Sequence, residues 1–376
     1  MTNLVCISHL RWDFVWQRPQ HLLTRFAQDY TVYFVEEPIA TPEIETPTLE
    51  VFPAQNAPDV TIIRLRYPSV EAHWIGHGHP DVQATYEQLL LNFFAEQRIT
   101  SYILWLYTPM AAPFVKALPY STLIFDAMDQ LSAFLGAPPE LIAQEKELLP
   151  RADLVFTGGV SLYEAKKPFN ANTHCFPSGV EVEHFAQSEK KESFARPEEL
   201  SALNGPILGF FGVIDERIDL KLLSDVAQAR PSWQIVMIGP VVKIDPAHLP
   251  QHPNLHYLGG RGYNDLPRYL AHFDVALLPF ALNESTRYIS PTKTLEYMAA
   301  RKPMVSTAIH DVISLYGAVV RIADTPQMFI AHVEAALTEE PHARRADEDR
   351  LLAAHTWDHI TAEMKALVRA QESETV

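Results

Sequence analysis

Short apolar runs alternate with longer amphipathic ones along the whole chain. Residues 4–8, 31–35, 61–65, 102–106, 122–125, 154–157 and 173–176 are compact runs dominated by apolar, β-branched and aromatic side chains, and they read as strands. Helical periodicity fills several of the gaps: 19–28, with Pro19 near its start, then 81–96 and 140–149. Strands that are apolar throughout are buried on both faces, so the pattern predicts a parallel sheet covered by helices. The character changes over residues 181–205, where Ser188-Glu189-Lys190-Lys191-Glu192 and Pro197-Glu198-Glu199 carry few large apolar groups. A second series then begins at 207–211. Its strands continue at 233–238, 255–258, 275–278, 304–306 and 319–322, with helices at 220–229, 265–272, 294–300 and 327–338. A final amphipathic helix is expected over 357–371. The chain therefore reads as α/β, with one domain over 1–185, a linker over 186–205 and a second domain over 206–356. Open parallel sheets bind ligands outside the carboxyl ends of their strands, so two such sheets facing one another would leave a cleft for chemistry.

Composition narrows the classes. A chain of 376 residues suits two domains, and 47% hydrophobic with 20% charged residues is a globular balance. The formal net charge is −16 and neither half is basic, which argues against a nucleic-acid partner while leaving room for a local basic site. Cys6 and Cys175 offer neither a disulfide framework nor zinc-ligand spacing, as expected in a reducing compartment. The first residues lack the basic region and long apolar run of a signal peptide, and no run approaches the roughly 18 apolar residues of a membrane span. The expectation is a cytoplasmic protein with, at most, peripheral membrane contact.

The segment Ser290-Pro291-Thr292-Lys293-Thr294-Leu295-Glu296 has the form of a helix start, with Ser290 as N-cap and Pro291 as first helical residue. Unpaired N–H groups and the dipole of such a helix make an anion site, to which Lys293 adds a full charge. Glu296 follows on the same face and could accept hydrogen bonds from a ribose diol. The bland reading is a capped surface helix whose Lys and Glu pair in solvent, and the residues alone leave both open. Gly209-Phe210-Phe211-Gly212 runs a strand into a glycine turn. Gly212 would admit a phosphate close to the backbone, and Arg217 could grip it with two bonds. Lys221, one turn further, reads as a solvated helix-face lysine.

Together these segments resemble the GT-B glycosyltransferases often called group 1 or family 4. The residues that carry the resemblance are Gly209-Phe210-Phe211-Gly212, Ile238-Gly239-Pro240, Leu258-Gly259 before Asp265-Leu266-Pro267, Asp274 through Pro279, and Ser290-Pro291-Thr292-Lys293 through Glu296-Tyr297-Met298-Ala299-Ala300. The resemblance implies two facing Rossmann-like domains and a nucleotide-sugar donor, with a UDP-sugar expected, held by the second domain through Gly212, Arg217, Ser290, Thr292, Lys293 and Glu296. It implies that the helix from Trp357 crosses back onto the first domain. It also implies chemistry without a metal or other cofactor. One position departs: the family's first glutamate, eight residues before Glu296, is Tyr288 here. The Ser-Pro-Thr-Lys form looks more like that of xanthan-type glucuronosyltransferases.

After the first strand, residues 9–21 hold two Trp, two Arg and two His. Such density at a strand's carboxyl end reads as acceptor recognition by His9, Arg11, Trp12 and Arg18, with Trp stacking on a sugar and Arg holding an acid or phosphate. The alternative is that the Trp residues are core plugs. Phe125-Asp126-Ala127-Met128-Asp129 ends another strand. Asp129, beyond the strand end, suits a general base on an acceptor hydroxyl, where xanthan-type enzymes carry a similar Asp, while Asp126 reads as structural. If Asp129 is only an orienting group, the chemistry is the family's usual retaining transfer. The function expected is sugar transfer from a nucleotide-sugar to a hydroxyl of a saccharide or lipid-linked acceptor. Two other readings share the fold: a nucleotide-sugar 2-epimerase, which needs no acceptor, and a nucleotide-binding protein without catalysis, which the Tyr288 departure keeps open.

Overall fold

The structure, a computed structural model, describes residues 1–14, 16–72, 75, 80–134, 136–340 and 343–375. It divides into two units, Met1–Pro177 with Trp357–Val376, and Ser178–Thr356.

In the first unit the strands β1 (Asn3–Ile7), β2 (Thr31–Val35), β3 (Ile39–Ala40), β4 (Thr48–Ala54), β5 (Ala57–Tyr67), β6 (Tyr102–Leu106), β7 (Thr122–Ala127), β8 (Leu154–Thr157) and β9 (Thr173–Cys175) form one sheet. Its order is β3-β5-β2-β1-β6-β7-β8-β9, all parallel, with β4 added to β5 as an antiparallel hairpin. β6, β7 and β8 are buried along their whole length because helices cover both faces. Alternate residues serve opposite cores. Val5, Leu104 and Phe125 pack with Tyr86 and Phe114, while Leu4, Cys6, Ile103, Trp105 and Ile124 pack with Leu22, Phe26, Trp357 and Met364. The last helix, Trp357–Thr375, thus completes this unit beside the helix Arg18–Phe26. The Trp357 ring stacks on His21 at 4.5 Å, Lys365 Nζ donates to the Arg25 carbonyl at 2.7 Å, and Tyr30 Oη donates to Glu372 at 3.0 Å.

In the second unit β10 (Ile207–Phe211), β11 (Gln234–Ile238), β12 (Leu255–Tyr257), β13 (Val275–Leu278), β14 (Met304–Thr307) and β15 (Arg321–Ala323) are all parallel, in the order β12-β11-β10-β13-β14-β15. The strand order reverses between β10 and β13, and a crevice opens at the carboxyl ends at such a point. The ends of this unit lie together: Val180 bridges Thr356, and the Val180 N–H donates to the His355 carbonyl at 2.9 Å.

Two expectations are corrected. Residues 186–205 are not a free linker. Ser188 and Leu200 are fully buried, as is Phe185 just before them, and Ser188 Oγ donates to the Pro267 carbonyl at 2.8 Å, so a few anchors among many charges tie this stretch to the second unit and move the boundary to Pro177. The β4–β5 hairpin was also not anticipated beyond the middle of β5, because β4 is largely exposed and carries Glu50 and Pro53. Among the described residues no helix is long and apolar enough to cross a membrane.

Candidate functional site

At the carboxyl end of β10 the backbone turns at Gly212, whose φ of 141° belongs to the region glycine alone adopts easily. The Gly212 N–H donates to the Ile238 carbonyl at 2.8 Å. A Cβ on Gly212 would overlap Lys293 Cε, so the missing side chain is the space Lys293 occupies. The lysine lies over Phe210, with Nζ 5.8 Å from the ring centroid. Burial lowers its ammonium pKa, the neighbouring Glu296 opposes that, and Arg217 adds to the lowering. A cation set beside a glycine turn at a strand-order reversal suits an anion, whose charge would offset the desolvation that Lys293 bears.

The helix carrying Lys293 spans Lys293–Ala299, starting two residues later than Ser290 and Pro291 suggested. Thr292 is its N-cap, and its hydroxyl makes no capping bond. The Thr292 carbonyl instead accepts from the Leu295 and Glu296 N–H groups at 3.0 and 3.3 Å, a tightened first turn that takes over the capping work. The helix is fixed to β10 by Tyr297, whose Oη accepts from the Phe211 N–H at 3.1 Å and whose ring packs edge-on against Phe211. Ser290 and Thr292 stay partly exposed beside Lys293 in the sequence. Arg217 is held rather than loose: Nε and Nη2 both bond the Asp215 carboxylate, at 3.0 and 2.7 Å, while the side chain remains about one-third exposed. Lys221 pairs with Asp225 at 2.6 Å on the exposed helix face.

Glu296 has company that the sequence did not suggest. Burial raises its carboxyl pKa to about 7, Lys293 lowers it, and Glu181 raises it further. Glu181 accepts from Tyr263 Oη at 2.7 Å, and the Tyr263 ring stacks on His184 at 4.4 Å. These groups come from positions 82 residues apart, so only the fold brings them together. A partial signal was present in the glycines at 259, 260 and 262, which mark a loop at the carboxyl end of β12 just before Tyr263. Among the described residues no three His, Cys, Asp or Glu side chains are arranged to hold a metal ion.

In the first unit two of the acceptor assignments are corrected. Trp12 is 2% exposed and packs edge-on against Phe34 at 5.0 Å, so it is a core plug that no sugar can stack on. Arg18, also 2% exposed, spends its guanidinium on Asp126 and on the Phe176 carbonyl, at 2.7 Å from the latter. Arg11 keeps part of its surface but is anchored by Glu36 at 3.3 Å and by the Glu37 and Pro38 carbonyls. His9 is partly buried after β1, and burial lowers its pKa to about 4, so it is neutral near pH 7. Among the described residues of this loop, Phe14 and Trp16 are exposed. Asp129 lies just past β7, partly exposed, and lines a cavity of about 10 Å³ with Tyr107, Gln130 and Glu145.

Residues 205–339 match the family described as Glycosyl transferases group 1. A Bacillus subtilis (strain 168) protein, named for teichuronic acid biosynthesis as the glycosyltransferase TuaH, is 25% identical over 221 residues, which are 54% of this chain and 55% of that protein. The chain thus matches about half the length of this curated relative. A sucrose-phosphate synthase from Thermosynechococcus elongatus superposes with a TM-score of 0.72 at 13% identity, covering 100% of both chains. A trehalose-6-phosphate protein from E. coli, bound with UDP-2-fluoro glucose, superposes with a TM-score of 0.67 at 13% identity over 99% of each chain. An α,α-trehalose 6-phosphate synthase from Burkholderia multivorans gives 0.68 at 12% identity over 100% of each. The fold is that of the GT-B enzymes, built from two Rossmann-like α/β units.

Proposed function

We propose that this protein is a glycosyltransferase that moves a sugar from a nucleotide-sugar donor to a hydroxyl of a saccharide or lipid-linked acceptor, without a metal ion. The observation that carries the reading is Lys293 set against Gly212 where the strand order of the second unit reverses. The family match over 205–339 and the name of the B. subtilis relative support sugar transfer. The UDP-2-fluoro glucose held by the E. coli neighbour supports a uridine nucleotide as donor. In this reading Lys293 and Arg217 face the diphosphate and stabilise the charge it gains as the anomeric C–O bond breaks. Ser290 and Thr292 add hydroxyl donors, and Glu296 accepts from the ribose diol. The acceptor oxygen forms the new bond to the anomeric carbon, and Asp129 takes its proton.

Lys293→Ala should weaken UDP binding by about 1.5–3 kcal/mol, the worth of a hydrogen bond to a charged group, and uridine binding far less. Calorimetry showing equal affinity of the variant and the parent for UDP would remove Lys293 from the diphosphate site. The Glu296 carboxyl, raised to about 7, gives a second test. Only the carboxylate accepts both diol protons, so the bound state favours ionisation. UDP affinity should therefore be full above pH 7 and fall as the pH drops below it, whereas 2′,3′-dideoxy-UDP should lack this component. Parallel pH profiles for the two ligands would end the ribose role.

A further inference from the structure

The chain is strongly acidic, yet three of its cations, Lys191, Arg196 and Lys302, gather around His272 at the amino end of the second sheet without a carboxylate ion-pair partner among the described residues. His272 sits in the turn leading into β13, 5% exposed; the Phe194 backbone lies beside its ring, and neither ring nitrogen makes a well-formed hydrogen bond. Lys302 sits in the turn leading into β14, and its Nζ donates to the carbonyl of Ala271, the residue next to His272, at 3.0 Å. Lys191 and Arg196 belong to the stretch that Ser188 pins to the Pro267 carbonyl, at the start of the helix Leu266–Leu270 that delivers His272. Arg196 Nη2 donates to the Leu203 carbonyl at 3.1 Å. Among the described residues most arginines and several lysines pair with a carboxylate, but Lys191, Arg196 and Lys302 do not. The carboxylate that acts on Lys302 is Asp274, and its Oδ2 is already taken by the Ile207 N–H at 2.8 Å.

We propose that His272, Lys302, Lys191 and Arg196 form a binding site for a phosphate-type oxyanion, separate from the donor site at the opposite end of the same sheet. Like charges brought together with only the Asp274 carboxylate close by repel one another. A tetrahedral oxyanion supplies the missing charge and several acceptor oxygens for ammonium, guanidinium and imidazole donors. The mutual repulsion registers on the groups themselves. Burial and then Lys191 lower the Lys302 ammonium to about 8 against the opposing Asp274, and burial, Lys191, Arg196 and Lys302 lower His272 against the Phe194 backbone. The phosphate can be free or carried as the monoester of a larger molecule, because the same donors recognise both.

The test titrates inorganic phosphate, and separately a short alkyl phosphate, into the full chain at constant ionic strength. Heat is read by calorimetry and the His272 ring by ¹⁵N NMR, with chloride as the control. Saturable binding of either below about 10 mM, with a shift of the His272 ring signals, is expected. Lys302→Gln should weaken it about tenfold or more. Lys191→Gln, at an exposed position where folding is not at risk, should weaken it several-fold. Lys293→Ala should leave it unchanged, which separates this site from the donor site. Absence of saturable binding for both phosphates, full binding in both glutamine variants, or loss of binding in Lys293→Ala would each overturn the proposal.

Discussion

Asp129→Asn should lower kcat by on the order of 10²–10⁴ while leaving UDP affinity nearly unchanged, the span expected when a general base loses its ability to take a proton. The amide keeps the shape of the carboxylate, so the loss reads chemistry rather than packing. The loop that carries Asp129 is held by its neighbour: Lys166 Nζ donates to Gln130 Oε1 at 2.8 Å and to Glu145 Oε1 at 2.7 Å, and Gln130 Nε2 donates to Ser132 Oγ at 2.7 Å. Lys166 is almost fully buried, so this pair of bonds fixes the loop directly after β7. Donor affinity is expected to hold because Lys293, Arg217 and Glu296 belong to the other unit. With Asp129 as base the product's anomeric configuration is inverted relative to the donor, which NMR of the product reads directly. Retention, or turnover of Asp129→Asn at the parent rate, would leave Asp129 with no proton to take.

Asp126→Asn should instead destabilise the first unit by about 3–5 kcal/mol, the usual result of stripping one partner from a buried ion pair. Asp126 is fully buried, and its two carboxylate oxygens each accept from Arg18 Nε at 3.1 Å. A neutral amide leaves the guanidinium in the core with an uncompensated charge, whereas replacing both residues by apolar ones removes the problem altogether. Chemical denaturation should therefore show Arg18→Met with Asp126→Leu recovering much of what Asp126→Asn alone loses. Activity per folded molecule should fall far less than in Asp129→Asn. An unchanged unfolding midpoint for Asp126→Asn would show that this pair contributes nothing to stability.

The two aspartates, three residues apart, mark what the sequence could and could not convey. The strand over 122–125 and its end were legible because a wholly apolar run needs burial on both faces, and the same holds for 102–106 and 275–278. The glycine turn at 212 and the helix start near Lys293 were legible because glycine and proline restrict the backbone locally. Whether a polar side chain turns inward is a tertiary matter. Trp12 and Arg18 lie in a loop dense with Trp, Arg and His, and nothing local tells a binding surface from a core plug and its buried counter-ion. Glu181 and Tyr263 stayed hidden for the same reason, since their meeting depends on the turn after β12 closing onto the end of the stretch read as the first domain. Residues 186–205 were misjudged by average composition, where the buried Ser188 and Leu200 outweigh many exposed charges.

The adjacency of Val180 and Thr356 has a consequence for synthesis. The second unit is one continuous stretch whose ends meet, so it can close as soon as residue 356 is free of the ribosome. The first unit begins at residue 1 but is completed only by the helix Trp357–Thr375. At about 5–20 residues per second, roughly 10–40 s separate the emergence of Pro177 from that of the last helix. Through that interval the sheet face carrying Trp105, Phe34 and Phe156 lacks the cover that Trp357, Met364 and Val368 will provide. The half of the chain made first is therefore the last to be completed.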